Sequence, residues 1–224
     1  MNRKISCPPP RKRAAASVGK RLSSVWLNLG LLGILSGIGW VSVASYSGMN
    51  ISWRSYLYPL QYRDLIVSNA KRNELDPALV AALIHRESGF KAEARSAAGA
   101  LGLMQVMPST GEWVAEHLLQ RPFEQPDELL NVETNVALGT SYLSYLRDQF
   151  GEQPVAYLAA YNAGPQRVRG WMNGAATLEL DQIQYPETRA YVRLILQDQK
   201  AYSEIYDLHQ GQRPWTHNSE KSPE

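Results

Sequence analysis

Between Arg21 and Arg54 the chain runs for 32 residues without one charged side chain. Its central part, Val25 to Ala44, is apolar apart from Asn28 and scattered serines and glycines. About 20 residues of helix cross the hydrocarbon core of a bilayer, so this segment is long enough to span a membrane. Trp26 and Trp40 stand near its ends, where indole rings favour the headgroup level. Residues 1–21 hold seven Lys or Arg and no acid, the bias that keeps a flank on the cytoplasmic side. The expected organisation is a basic cytoplasmic tip (1–21), a transmembrane helix or uncleaved signal anchor (22–46), a linker (47–58) and a body on the outer side. A cleaved signal peptide is the rival reading, with Ser42-Val43-Ala44 as a small-residue processing site, but the length of the run favours the anchor. Either way the body is exported.

The formal net charge of +2 hides this division, since a tip of +7 offsets a remainder of −5. The body therefore lacks the basic field that nucleic acid requires, and no nucleic-acid partner is expected. Cys7 is the sole cysteine and precedes the apolar run, so the body has no disulfide and must be held by its core.

From residue 59 to 207 the text is helical. Asp76-Pro77, Pro108, Pro154, Pro165 and Pro186 each precede an amphipathic run, as expected for helix starts, and Gly89, Gly151 and Gly164 fall at stops. The punctuation predicts helices near 59–73, 77–88, 108–119, 132–149, 154–162, 165–172 and 186–207. No alternating strand pattern competes with them. The expected fold is an all-α domain over 59–207 followed by a polar, disordered tail at 208–224.

One acid is misplaced in this pattern. On a wheel of the helix from Pro77 to Ser88, at about 100° per residue, Glu87 falls inside the stripe formed by Leu79, Val80, Leu83 and Ile84. His85 and Arg86 fall well away from Glu87, on what reads as the solvated face. A carboxylate on a buried face is costly unless paired or protonated, and the last turn of a helix disfavours negative charge. These terms predict a raised pKa, as a general acid needs. A buried glutamate bonded to backbone groups or to an arginine would look the same on the wheel. Competing chemistries are absent from the sequence: the four histidines form no metal-ligand spacing, and there is no phosphate-binding glycine loop, nucleophile elbow or catalytic cysteine in the body. No metal or cofactor is expected.

Four ordered segments then carry a resemblance. Glu87-Ser88, Ser96-Ala-Ala-Gly99-Ala-Leu-Gly102-Leu-Met-Gln105-Val-Met107-Pro108, Ala160-Tyr161-Asn162-Ala-Gly164-Pro165 and Pro186-Glu187-Thr-Arg-Ala-Tyr191-Val192 resemble the motifs of the soluble lytic transglycosylases of glycoside hydrolase family 23, relatives of goose-type lysozyme. The resemblance implies a lysozyme-like helical domain with a cleft for peptidoglycan glycan strands; with the apolar run as its anchor, the body is expected in a bacterial periplasm, tethered to the inner membrane. It implies cleavage of the β-1,4 bond between N-acetylmuramic acid and N-acetylglucosamine with formation of a 1,6-anhydromuramoyl end. By position, Glu87 matches the single catalytic acid, and Ser96, Gln105, Met107, Tyr142, Tyr161 and Glu187 match substrate-binding positions. Met107 and Tyr142 also suit plain core packing, and Glu187 suits a helix first turn. A muramidase using water and a catalytically silent glycan-binding scaffold are the alternatives.

Overall fold

The computed structural model describes residues 53–208; the predicted tip, the predicted span and the tail beyond Leu208 lie outside the described residues. Seven α-helices follow a helical turn at residues 53–57: α1 (Arg63–Arg72), α2 (Pro77–Ser88), α3 (Pro108–His117), α4 (Val132–Phe150), α5 (Pro154–Ala163), α6 (Pro165–Met172) and α7 (Pro186–Tyr206). Two short 3-10 turns, Pro126–Leu130 and Leu180–Gln182, add to the elements that the punctuation predicts. No extended strand occurs among the described residues, only isolated antiparallel bridges pairing Arg95 with Leu101 and Leu101 with Val106.

Local signals account for the boundaries. At the start of α2, Asp76 Oδ1 accepts from Ala78 N at 2.8 Å, with Pro77 in the first turn, where its missing N–H is no loss. Asn131 Oδ1 accepts from Thr134 N at 2.9 Å and starts α4. Gly89 ends α2 in the left-handed region at φ 58°, which favours glycine. The first helix begins at Arg63 rather than 59 because tertiary bonds take the preceding backbone: Tyr206 Oη donates to Tyr58 O at 2.6 Å and Tyr202 Oη to Pro59 O at 2.9 Å.

The core corrects one sequence expectation. Every residue of α2 from Pro77 to Ile84 is buried, so this helix has no wet face along most of its length. The His85 ring lies among Tyr58, Phe90 and Tyr202, and Arg86 bonds the carboxylate of Asp198 on α7. His85 is thus largely enclosed in a helix–helix contact, whereas Arg86 stays exposed, as its place on the wheel suggests, and reaches Asp198 from the rim of that contact. A wheel places residues relative to one stripe; it does not show that a second helix covers the reverse side. That second helix is α7, the most extensive packing partner of α2.

The long connection from Gly89 to Pro108 has little regular structure of its own, yet a buried amide satisfies its backbone. Asn135 on α4 is fully buried, donates through Nδ2 to Leu101 O and Leu129 O at 2.8 Å each, and accepts from Met104 N at 2.7 Å. Gly102, at φ +74°, passes so close that an added Cβ would stand 2.2 Å from Leu129 O and 2.3 Å from Asn135 Nδ2. Only glycine fits there. Asn135→Leu, similar in size, leaves one N–H and two carbonyls without this partner, each costing about 1–3 kcal/mol when buried. A loss of at least ~3 kcal/mol in urea unfolding is expected.

Candidate active site

Glu87 lies in the last turn of α2, half-buried, at the end of a helix whose residues up to Ile84 are all inside. Its Oε1 accepts from Tyr191 Oη of α7 at 2.5 Å. Burial pushes the carboxyl up from 4.5 to about 7, against the opposing effect of the Tyr191 hydrogen bond. Near neutral pH the group is therefore divided between acid and carboxylate. With Oε1 engaged as the acceptor, the proton of the acid form falls to Oε2.

Two phenols flank this carboxyl. Burial, together with the charge on Glu87, pushes the Tyr191 and Tyr161 hydroxyls well above their ordinary range. Both stay protonated as donors. Tyr161, on α5, gives its proton to Met104 O at 2.9 Å, so its hydroxyl secures the loop behind the site. Its ring meets Tyr142 of α4 at 5.6 Å, and Tyr142 stacks on Tyr145 at 6.3 Å.

The remaining predicted residues belong to the loop and to the start of α7. Ser96 is exposed, and its Oγ accepts from Ala100 N at 2.9 Å, closing a tight turn. Gln105 adopts φ 47°, unusual for a residue with a side chain, and its Nε2 donates to Gly102 O at 2.9 Å and Ala94 O at 3.2 Å. Met107 precedes Pro108 of α3 and is 39% exposed, too open for a core methionine. Glu187 is exposed in the first turn of α7, four residues before Tyr191 and so on the same side of that helix. The structure thus joins Glu87, Tyr161 and Tyr142 in one cluster and ties Gln105 to the loop that Tyr161 holds. Ser96, Met107 and Glu187 make no direct hydrogen bond to Glu87, whose side-chain partner is Tyr191. Two residues carry no assignment from the sequence: Tyr191, which stands in the fourth motif without a role, and Asn135, which reads as one more polar residue on a helix.

A family model described as "Transglycosylase SLT domain" matches residues 64–184. The chain belongs to this family. The soluble lytic murein transglycosylase of Escherichia coli (strain K12) is 36% identical over 162 residues, which cover 70% of this chain and 24% of the relative. A "Membrane-bound lytic murein transglycosylase C" of Actinobacillus pleuropneumoniae is 37% identical over 114 residues, covering 46% of this chain and 31% of the relative. Among solved structures, the 70 kDa soluble lytic transglycosylase from Escherichia coli has a TM-score of 0.65 at 34% identity, over 68% of this chain and 25% of that one. An inactive mutant of the lytic transglycosylase Slt from Pseudomonas aeruginosa has a TM-score of 0.64 at 32% identity, over 69% and 26%. The chain thus spans about a quarter of the length of the soluble relatives it matches. The expected lysozyme-like helical fold is the fold observed.

The raised Glu87 of this SLT domain has a consequence for stability. The folded state keeps a proton on Glu87 up to about pH 7, whereas the unfolded chain releases it near pH 4.5, so between these values the folded state binds more protons. Stability from this group is complete below pH 4.5 and declines as pH rises through 7, by roughly 3 kcal/mol in all. Glu87→Gln removes the titration, so its unfolding free energy should exceed that of the parent above pH 7, in urea melts taken from pH 5 to 8. A glutamine variant less stable than the parent at pH 8 would contradict the burial argument.

Proposed function

We propose that this chain is a peptidoglycan lytic transglycosylase with Glu87 as its single acid and base. The observation that carries the reading is the half-buried carboxyl with a pKa of about 7, steadied by Tyr191, in a chain of the transglycosylase SLT family. Among the described residues, Glu87 is the only carboxylate whose charge acts on the flanking Tyr161 and Tyr191. One carboxyl suffices where the substrate supplies the second function.

The steps follow from that economy. Glu87 Oε2 gives its proton to the β-1,4 glycosidic oxygen, and the bond to C1 of N-acetylmuramic acid breaks. The acetamido oxygen of the same sugar stabilises the electron-poor C1, which replaces a second carboxylate. Glu87, now ionised, takes the proton from the muramoyl 6-hydroxyl as that oxygen bonds to C1, so a 1,6-anhydro end forms and no water is added. Acid and base are one group, and a pKa near the working pH serves both roles. Ser96, Gln105, Met107, Tyr142, Tyr161 and Glu187 are assigned to the substrate cleft, with Tyr161 acting through the loop it holds and Gln105 shaping that loop.

We further place the body in the bacterial periplasm, tethered to the inner membrane by residues 22–46. No described helix is long and apolar enough to cross a membrane, and the support for the tether is the charge-free run and its cationic flank.

Mass spectrometry of peptidoglycan digested by the purified chain should show anhydromuramoyl ends; reducing ends alone would point to water as the nucleophile. Glu87→Gln should lower turnover by a factor on the order of 10³ or more. The rate should fall about tenfold per pH unit above roughly 7, where the acid form of Glu87 is depleted.

A further inference from the structure

Three polar links join α2 to α7. Near the start of α2, Gln199 Nε2 donates to Asp76 Oδ2 at 2.6 Å. At its end, Arg86 grips Asp198 with both arms of its guanidinium, Nε to Oδ2 at 2.5 Å and Nη2 to Oδ1 at 2.7 Å. The third is the Tyr191–Glu87 bond at the site itself. Asp198 has a side chain 1% exposed. Burial pushes its carboxyl up, but hydrogen bonds and charge from His85 and Arg86 outweigh that effect and hold it below the usual range. His85 Nδ1 lies 3.5 Å from Oδ2, with its ring enclosed by Tyr58, Phe90 and Tyr202.

We infer that Asp198 is a positioning residue for catalysis, fixing the rotation of the last turn of α2 through Arg86 so that Glu87 meets Tyr191. The inference rests on the acid–base role proposed for Glu87. A planar fork satisfied by both carboxylate oxygens accepts a narrow range of orientations. Arg86 directly precedes Glu87, so an error in one is passed to the other. A side-chain tip lies roughly 6 Å from a helix axis, and a rotation of about 15° there moves it about 1.5 Å. That displacement breaks a 2.5 Å hydrogen bond, and misplacement of about 1 Å at a reacting group lowers rates by up to ~100-fold. Such a pair, with its carboxylate buried and its arginine at the rim, is by itself weak grounds for stability and better suited to specifying one arrangement. Asp198 lies seven residues, two helical turns, beyond Tyr191, so both project from one side of α7.

The test is a double-mutant cycle in the full chain on soluble, uncrosslinked glycan strands near pH 6, where Glu87 is mostly protonated. Asp198→Asn and Tyr191→Phe should each lower kcat about tenfold or more with KM changed less than about twofold. The double variant should be no slower than Tyr191→Phe alone, because the first change acts through the second contact. A folded Asp198→Asn with parental kcat, or a double variant showing the product of the two losses, would overturn the inference. Should Asp198→Asn not fold, Arg86→Lys, which keeps the charge and loses the fork, takes its place, and parental kcat in that variant would overturn the inference equally. Activity lost in Glu87→Gln but unaffected in the cycle would leave the acid–base reading standing and remove only this one.

Discussion

A single carboxyl at the end of a helix with no wet face along most of its length is the constraint around which this body is arranged. Pro77 to Ile84 are buried on every side, and such a helix must be enclosed by others before its last turn can reach the surface. Enclosure raises the proton affinity of Glu87, because water that would solvate its charge is displaced. Tyr191 limits that rise by supporting the ionised form through its hydrogen bond. The two effects oppose each other, and their balance sets the group near neutrality. Neither helix alone produces that balance.

The second requirement is a loop that approaches closely without a sheet to hold it. Asn135 supplies three hydrogen bonds from one side chain, and Tyr161 adds a fourth at Met104 O. Gly102 lets the backbone pass where any side chain would collide. Rigidity here comes from satisfied polar groups in a buried setting, where an unmade bond is costly. Gln105 then sits in a left-handed conformation, which is tolerated because its own amide bonds the turn beneath it.

The helices are largely legible in the sequence because their boundaries depend on near neighbours: Pro77, Pro108, Pro154, Pro165 and Pro186 each stand in the first turn of the helix they signal. The inward acid is legible for the same reason, since its stripe lies within a dozen residues. Arg86 is not, because its partner, Asp198, is 112 positions away, and a wheel carries no knowledge of a second helix. Asn135 escapes notice because an amide on an amphipathic helix looks like solvent-facing polarity until a loop is laid over it. Tyr191 is visible in its motif but without a role, since the 104 positions between it and Glu87 close only in the fold. The start of α1 shifts from 59 to Arg63 for a like reason, the tyrosines that take its backbone lying more than 140 positions away.

Those tyrosines matter in another way. Tyr202 and Tyr206 hold Pro59 and Tyr58, and Arg54 pairs with Glu204 at 2.8 Å, so the chain enters the body beside the point where α7 leaves it. Tyr191 is fifteen residues back along that helix from Tyr206, about 22 Å at roughly 1.5 Å per residue. The first and last described residues of the body therefore share one corner, and the His85 ring, two residues before Glu87, packs against Tyr58 and Tyr202 there, so a load on either end of the body is borne close to the helical turn that carries the carboxyl.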